Sequence, residues 1–509
     1  VAGVRDDVTL AEIAALLAVA QDHAFGQPPG AQLRATVLGQ RLATAAGTDP
    51  AEHAITWWAS TLRFLGCTGH AFDMAVVFGD EIELRARALR ADFANPFEVM
   101  RLMVSHAGPG LSGVGRFRSV FSVLAGGRRA AELNFRAACE VADVFAVRLG
   151  LDEPVRAALA ATFERWNGRG LPAGSKGVAI PRPMRIVQLA GELEVLARVE
   201  GIARALEIIK SRRGRAYDPD LADLVLAEAA GWWDGLEPVD SWDAALAVAP
   251  PSTPLSDAGA HEALLVLADF ADLKSPWTAG HSRAVAALAL AACGPTAQAA
   301  ALLHDLGRVA VPNTIWDKPG ALTRDERDRA EAHALVTDQL LRRVSYTATL
   351  AGAACGAHER VDGSGYHRRL GGAHLDDAQR IIAAADCYQA MTSDRPYRAA
   401  YAPEDAAVEL RAMSAAGRLD GEAVERVLAA AGHRRVARPP LPAGLTAREA
   451  EVLRLLALGL TTRQVADRLV ISAKTADHHV QHIYTKIDVS TRGAAALFAI
   501  EQGILPARA

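Results

Sequence analysis

The chain runs to 509 residues, half of them hydrophobic, with a formal net charge of −4. That is too long for one core and suits about three or four domains, and a charge so near neutral, averaged over them, selects no partner. Five cysteines (Cys67, Cys139, Cys293, Cys355, Cys387) without paired spacing argue against disulfides and zinc, and no stretch approaches the uncharged run that spans a bilayer. Alanine is abundant and Val/Ile/Thr runs of period two are scarce, which predicts an all-α chain. Leu10 to Ala20 is apolar but is interrupted by Glu12 and continues into a helical pattern. No signal peptide is expected, and the cytoplasm is the expected compartment.

Residues 1–225 carry no chemistry of their own; their organisation emerges against the second part of the chain. Phe163-Glu164-Arg165-Trp166-Asn167-Gly168-Arg169-Gly170 matches His358-Glu359-Arg360-Val361-Asp362-Gly363-Ser364-Gly365 at an offset of 195, which also relates Arg185-Ile186 to Arg380-Ile381. Leu65-Gly66 falls where Leu306-Gly307 follows His304-Asp305, and Gln32-Leu33-Arg34-Ala35 resembles His281-Ser282-Arg283-Ala284. The pattern reads as an internal duplication. Where the second copy has His281, His304-Asp305, His333, His358 and Asp386, the first has Gln32, Arg63-Phe64, Ala138, Phe163 and Gly191. Phe, Ala and Gly cannot ligate, and Arg63 places a cation where a cation would bind. The first copy is therefore expected to serve as a ligand-sensing pocket, a dimer surface or a packing partner. Gly108 to Gly127, rich in Gly and Ser, reads as an insertion.

Residues 226–262 read as a junction. Trp232, Trp233 and Trp242 suggest a packing seam between the repeats rather than a ligand cage, and Ala249-Pro250-Pro251-Ser252-Thr253-Pro254 breaks any helix.

Residues 263–434 hold the chemistry. The adjacent pair His304-Asp305, late in an apolar run, offers one nitrogen and one carboxylate to a cation. Imidazole suits iron, zinc or manganese, and a carboxylate can bridge two metals. Taken singly, a histidine in such a helix is more often a satisfied core residue. Taken together, His281, His304, His333, His358, Asp305 and Asp386, blanked in the duplicate, point to metal. Two further tracts accompany them: Val311-Pro312-Asn313 followed by Asp317-Lys318-Pro319-Gly320-Ala321-Leu322-Thr323, and Ser393-Asp394-Arg395-Pro396-Tyr397-Arg398.

This combination resembles the HD phosphohydrolase superfamily, and its HD-GYP branch in particular. The resemblance implies two divalent ions, iron or manganese, that activate water to attack a phosphoester. By it, the four histidines supply nitrogen ligands, Asp305 bridges the metals and orients the nucleophile, and Asp386 closes the shell. Arg308 stands where the family usually has Lys and would neutralise a phosphate. Arg395 and Arg398 are candidates for further substrate phosphates, or equally for surface ion pairs. The expected substrate is cyclic di-GMP or a related nucleotide phosphoester. Three departures stand out: Ala357 replaces the first of two consecutive histidines, the Gly-Tyr-Pro signature reads Gly365-Tyr366-His367, and Trp277 occupies a position where some members carry an acidic ligand. These leave open a domain that binds a nucleotide without turning it over, or a helical dimerisation scaffold.

Arg434 to Pro442 reads as a short basic, proline-rich linker. Residues 444–509 then form a separate module. Thr446 and Glu449 make a capping box, Gly459 stops that helix, and Thr461-Thr462 precede a second one. Ile471-Ser472 turns into Lys474-Thr475-Ala476-Asp477-His478-His479-Val480-Gln481-His482-Ile483-Tyr484, a helix-turn-helix plan. The wording resembles the LuxR-type DNA-binding domain from Leu445 to about Gly503. The resemblance makes Lys474 to Lys486 the recognition helix, with His478 and Gln481 at base edges and Lys474, Thr475 and Lys486 nearer phosphate. The whole reads as a bacterial transcriptional regulator whose partners are DNA, a nucleotide phosphoester and a second copy of the chain, with no membrane.

Overall fold

A computed structural model describes residues 8–92, 95–106, 108, 113–236, 239–433, 441–457, 460–489, 491–502 and 504. Among them the secondary structure is α-helix and short 3-10 helix with isolated bridges only, so the all-α expectation holds. No described helix is long and apolar enough to cross a membrane. Arg434–Pro440 of the expected linker and Gly459, the expected stop, lie outside the described residues.

The duplication is written into the backbone. In each copy a left-handed glycine opens a helix: Gly30 (φ 91°) before Ala31–Ala45, and Gly280 (φ 76°) before His281–Cys293. Glycine tolerates that conformation at no steric cost. A buried aspartate eight residues earlier ties each turn down: Asp22 accepts from the backbone N of Gln32 at 3.0 Å, and Asp272 from that of Ser282 at 2.8 Å. This correspondence puts Ala31, not Gln32, opposite His281, a shift of one residue from the sequence comparison. A match of polar letters cannot see which residue the glycine precedes.

Further on the two copies agree. Phe64 (φ −111°, ψ 16°) and Asp305 (φ −112°, ψ 11°) lead equivalent 3-10 segments, Leu65–His70 and Leu306–Ala310. Gly66 and Gly307 each lie flat on a helix: a Cβ would come 1.8 Å from the Ala138 carbonyl oxygen, or 2.0 Å from that of His333. Ala138 and His333 are 195 residues apart, as are Glu164 and Glu359, which fasten equivalent loops. Glu164 accepts from the backbone N of Ala173 at 2.8 Å, Glu359 from that of Arg368 at 2.8 Å. At the same offset, Arg324–Leu341 matches only the second half of Gly113–Arg148, so the extra turns lie on its N-terminal side, where the insertion was expected.

The junction is not a spacer. Helices Pro219–Asp234, Ser241–Ala247 and Asp257–Asp272 run through it, and the last already belongs to the second copy. Trp57 donates its indole N–H to the Ala245 carbonyl at 2.9 Å, and Trp232, Trp233 and Trp242 pack partly buried on the core. One hydrophobic core runs through both copies as a single compact unit, where the sequence reading separated them. The C-terminal module has its own core around Val452, Leu453, Val465, Ile483 and Ala495.

Candidate active site and DNA-binding surface

Five segments of the second copy bring their polar residues to one point. His281 is the first residue of its helix. His304 and Asp305 sit where Pro295–Leu303 gives way to the 3-10 turn. His333 lies within Arg324–Leu341, whose start is fixed by the Thr323/Glu326 capping box. His358 ends a 3-10 turn, and Asp386 lies within Asp377–Met391. All six are buried, none more than 7% exposed.

Asp305 divides the cluster in two. Its Oδ2 lies 3.2 Å from His281 Nε2 and 3.1 Å from His304 Nε2, while its Oδ1 lies 3.3 Å from His333 Nε2 and 3.2 Å from His358 Nε2. Asp386 Oδ1 adds a second carboxylate 3.2 Å from His281 Nε2. Two groups, His281/His304/Asp305 and Asp305/His333/His358, each have ligand atoms spaced for one metal ion.

The rings are oriented from behind. His304 Nδ1 faces the Ala301 carbonyl at 2.7 Å and His333 Nδ1 the Ala330 carbonyl at 2.5 Å. His281 Nδ1 faces Gln389 Oε1, and Gln389 is itself held by Ser393 at 2.9 Å. A carbonyl behind Nδ1 demands its proton there and turns the Nε2 lone pair inward, as metal-ligating histidines require. His281 Nε2 and His304 Nε2 are buried without a hydrogen-bond partner. Atoms that converge yet are misaligned for one another fit a cation placed between them.

The electrostatics agree. Burial alone would raise the Asp305 carboxyl, but Arg308 and His304 hold it well below the usual range. Asp386, 7% exposed, is likewise held low against burial by His281 and His304. Against burial, these two carboxylates pull His304 up to about 10, so a proton held at Nε2 competes with a cation for that place. Burial takes His358 down to about 4.

Arg308 reaches Asp305 Oδ2 at 2.7 Å and stacks over Trp316 at 4.7 Å, so it stands at the centre. Arg395 is half-buried; it donates to the Trp277 carbonyl at 3.0 Å, and burial and the Arg308 charge lower its pKa. Arg398 does not join them. Its guanidinium donates to the carbonyls of Ala390 (2.6 Å), Met391 (3.1 Å) and Ala399 (3.0 Å), and so closes the end of the Asp377–Met391 helix. Gln389 escaped the sequence reading; its signal was its place one turn after Asp386 on the same helix. Ala357 is fully buried and offers no donor.

In the C-terminal module, capping boxes at Thr446/Glu449 and Thr461/Gln464 start the first two helices, and Ser472 caps the third, Ala473–Lys486. Ala476, Val480 and Ile483 face its core. Lys474, Thr475, His478 and Gln481 are exposed, together with His482, whose ring lies 4.4 Å from that of His478. Lys486 departs from expectation: its ammonium donates to Glu449 at 2.6 Å and to the Gly444 carbonyl at 3.0 Å, which ties two helices together.

Comparison with known proteins follows this division. The HD domain family matches residues 265–423, and the bacterial regulatory proteins of the luxR family match residues 443–499. A 3'3'-cGAMP-specific phosphodiesterase of Vibrio cholerae is 31% identical over 404 residues, 77% of this chain and 88% of that protein. The chain belongs to the HD-domain phosphodiesterases. Those 404 residues exceed either copy alone, so the likeness takes in both. A crystal structure of a cyclic GMP-AMP-specific phosphodiesterase from V. cholerae superposes with a TM-score of 0.57 at 27% identity, covering 84% of this chain and 98% of that one. A cyclic di-GMP phosphodiesterase response regulator of Xanthomonas campestris is 39% identical over 132 residues, 25% of this chain and 34% of that protein. The chain is thus an HD phosphodiesterase, metal-dependent as HD phosphohydrolases are, joined to a LuxR-type DNA-binding module, with DNA and a nucleotide as partners.

Proposed function

We propose that the second copy hydrolyses a cyclic dinucleotide, 3'3'-cGAMP or cyclic di-GMP, with two divalent ions, iron or manganese, that His281, His304, Asp305, His333, His358 and Asp386 would hold, Asp305 being shared by both. The observation that carries this reading is the division of Asp305, one oxygen toward each histidine pair. Bound metals supply a nucleophilic water at neutral pH and offset charge on the phosphoryl oxygens. The chain's own residues do the rest. Asp305 and Asp386 stay ionised, His281, His304 and His333 keep Nε2 inward, and Arg308, braced by Trp316, offers its guanidinium to a phosphate. Arg395 extends that positive field. The likeness to a 3'3'-cGAMP-specific relative over both copies supports the mixed dinucleotide as first substrate to test.

On this reading the chain acts in the cytoplasm as a homodimer, and its DNA-binding module reads the major groove through Lys474, Thr475, His478 and Gln481. Nucleotide level would set operator affinity. Ala357 favours a second reading, in which the pocket binds the nucleotide without cleaving it. Metal content and turnover of both dinucleotides, for the parent and Asp305→Ala, separate the two. About two ions per chain with Asp305-dependent hydrolysis supports the enzyme; tight nucleotide binding without turnover supports the sensor.

A further inference from the structure

On the helix Ala473–Lys486, His478 and His482 stand one turn apart, and their ring centroids approach to 4.4 Å with the planes tilted by 56°. Residues four apart share one face of a helix, with their Cβ atoms about 5–6 Å apart. The two rings therefore converge as they leave the backbone instead of splaying. Both side chains are exposed. Among the described residues no hydrogen bond or ion pair takes up either ring. The scaffold beneath them is fixed at both ends. Ser472 caps the start by accepting from the backbone N of Thr475 at 3.0 Å, and Lys486 ties the finish to Glu449 at 2.6 Å. Ala476, Val480 and Ile483 pin the opposite face to the module's core.

Two imidazole nitrogens that share one transition ion each stand about 2.0–2.1 Å from it, hence at most about 4 Å from each other. Exposed rings with centroids 4.4 Å apart reach that separation by turning about their own side-chain bonds. Two histidines four residues apart on one helix are also how helical zinc sites present a pair of ligands. We propose that His478 and His482 form a two-nitrogen chelate for a late divalent transition ion, nickel, copper or zinc, on the outer face of the recognition helix, with water in the remaining positions. The donor set decides the class of ion: imidazoles without a carboxylate favour these three over manganese, and magnesium demands oxygen. The chelate lies in a different compact unit of the chain from the HD centre. An ion held there takes the His478 nitrogen away from a base edge. That consequence rests on the proposed DNA-reading role of His478; the chelate itself does not.

Carbethoxylation of the full chain, resolved histidine by histidine by mass spectrometry, tests this, because it reads each ring separately from ions bound elsewhere. Ni2+ is the probe. His478 and His482 are expected to lose reactivity together as Ni2+ rises, while His261, exposed on a helix with no histidine one turn away, stays reactive. In His482→Gln the protection of His478 should require about tenfold more Ni2+ or beyond, and His478→Gln should do the same to His482, since the second ligand no longer acts at high effective concentration. Mn2+ should protect more weakly than Ni2+, and Mg2+ not at all. The proposal is overturned if the two rings stay reactive, if each is protected equally well without the other, or if His261 is protected over the same range. Anisotropy of a labelled mixed-sequence duplex reads the consequence: Ni2+ should weaken DNA binding by the parent and not by the double variant His478→Gln/His482→Gln. Protection with undiminished DNA affinity would overturn the DNA-reading role of His478 and leave the chelate standing.

Discussion

Glu81 of the first copy and Lys274 of the second form an ion pair at 2.5 Å with side chains 0% and 1% exposed. Lys274 also donates to the Val311 carbonyl (2.8 Å) and Asn313 Oδ1 (2.6 Å), while the Asn313 backbone N returns a bond to Glu81 at 3.2 Å. Three residues on, Trp316 lies beneath Arg308, its ring 5.3 Å from His333. The copy without metal ligands therefore anchors the loop that braces the metal centre.

Breaking this pair on one side strands a buried charge. Lys274→Met is expected to cost about 3–5 kcal/mol, whereas Glu81→Leu with Lys274→Met should restore much of that loss. Urea unfolding of the single and double variants measures both. Equal losses in the two would show that the pair is not a closed electrostatic unit.

Gln389 touches no reacting group but fixes the His281 tautomer. Gln389→Ala should lower metal affinity about 10- to 100-fold without loss of fold, and Gln389→Glu should recover it. Competition with a metal-binding dye reads the effect. An unchanged affinity would mean that the helix start at Gly280 alone sets the ring.

The recognition helix separates two kinds of contact. Gln481→Ala should cost about 1–3 kcal/mol and relax preference at one base position, while Lys474→Ala should weaken all sequences alike and reduce the salt slope by about 1. Lys486→Ala should leave the salt slope unchanged, because that ammonium is committed to Glu449. Operator titrations at several salt concentrations distinguish the three.

The same contact gives a pH signature. Burial alone would raise the Glu449 carboxyl, but Lys486 and Thr446 lower it from 4.5 to about 2. A depressed carboxyl stabilises the folded state fully above its unfolded pKa and loses that contribution as pH falls through the folded value. Protection factors of the Val480 and Ile483 amides, taken against the intrinsic exchange rate at each pH, should fall between pH 4.5 and about 2, and Glu449→Gln should flatten that dependence.

Much of this was legible in the amino-acid order because it rests on local rules. Helical periodicity, capping boxes at Thr446 and Thr461, and residue identities repeated at an offset of 195 depend on neighbours along the chain. The six candidate ligands stood out because one copy keeps them and the other blanks them. What only the tertiary structure decided depends on groups brought together from afar. The left-handed turn at Gly280 set His281 against Ala31. Arg398 turned to helix-end carbonyls and Lys486 to Glu449, since a long charged side chain takes whichever partner packing brings within reach. Glu81 and Lys274 lie 193 residues apart, and no local pattern marks either as the other's partner. The merging of two copies around one core has the same origin: apolar faces are visible in the sequence, but which face covers which is settled only when the chain closes on itself.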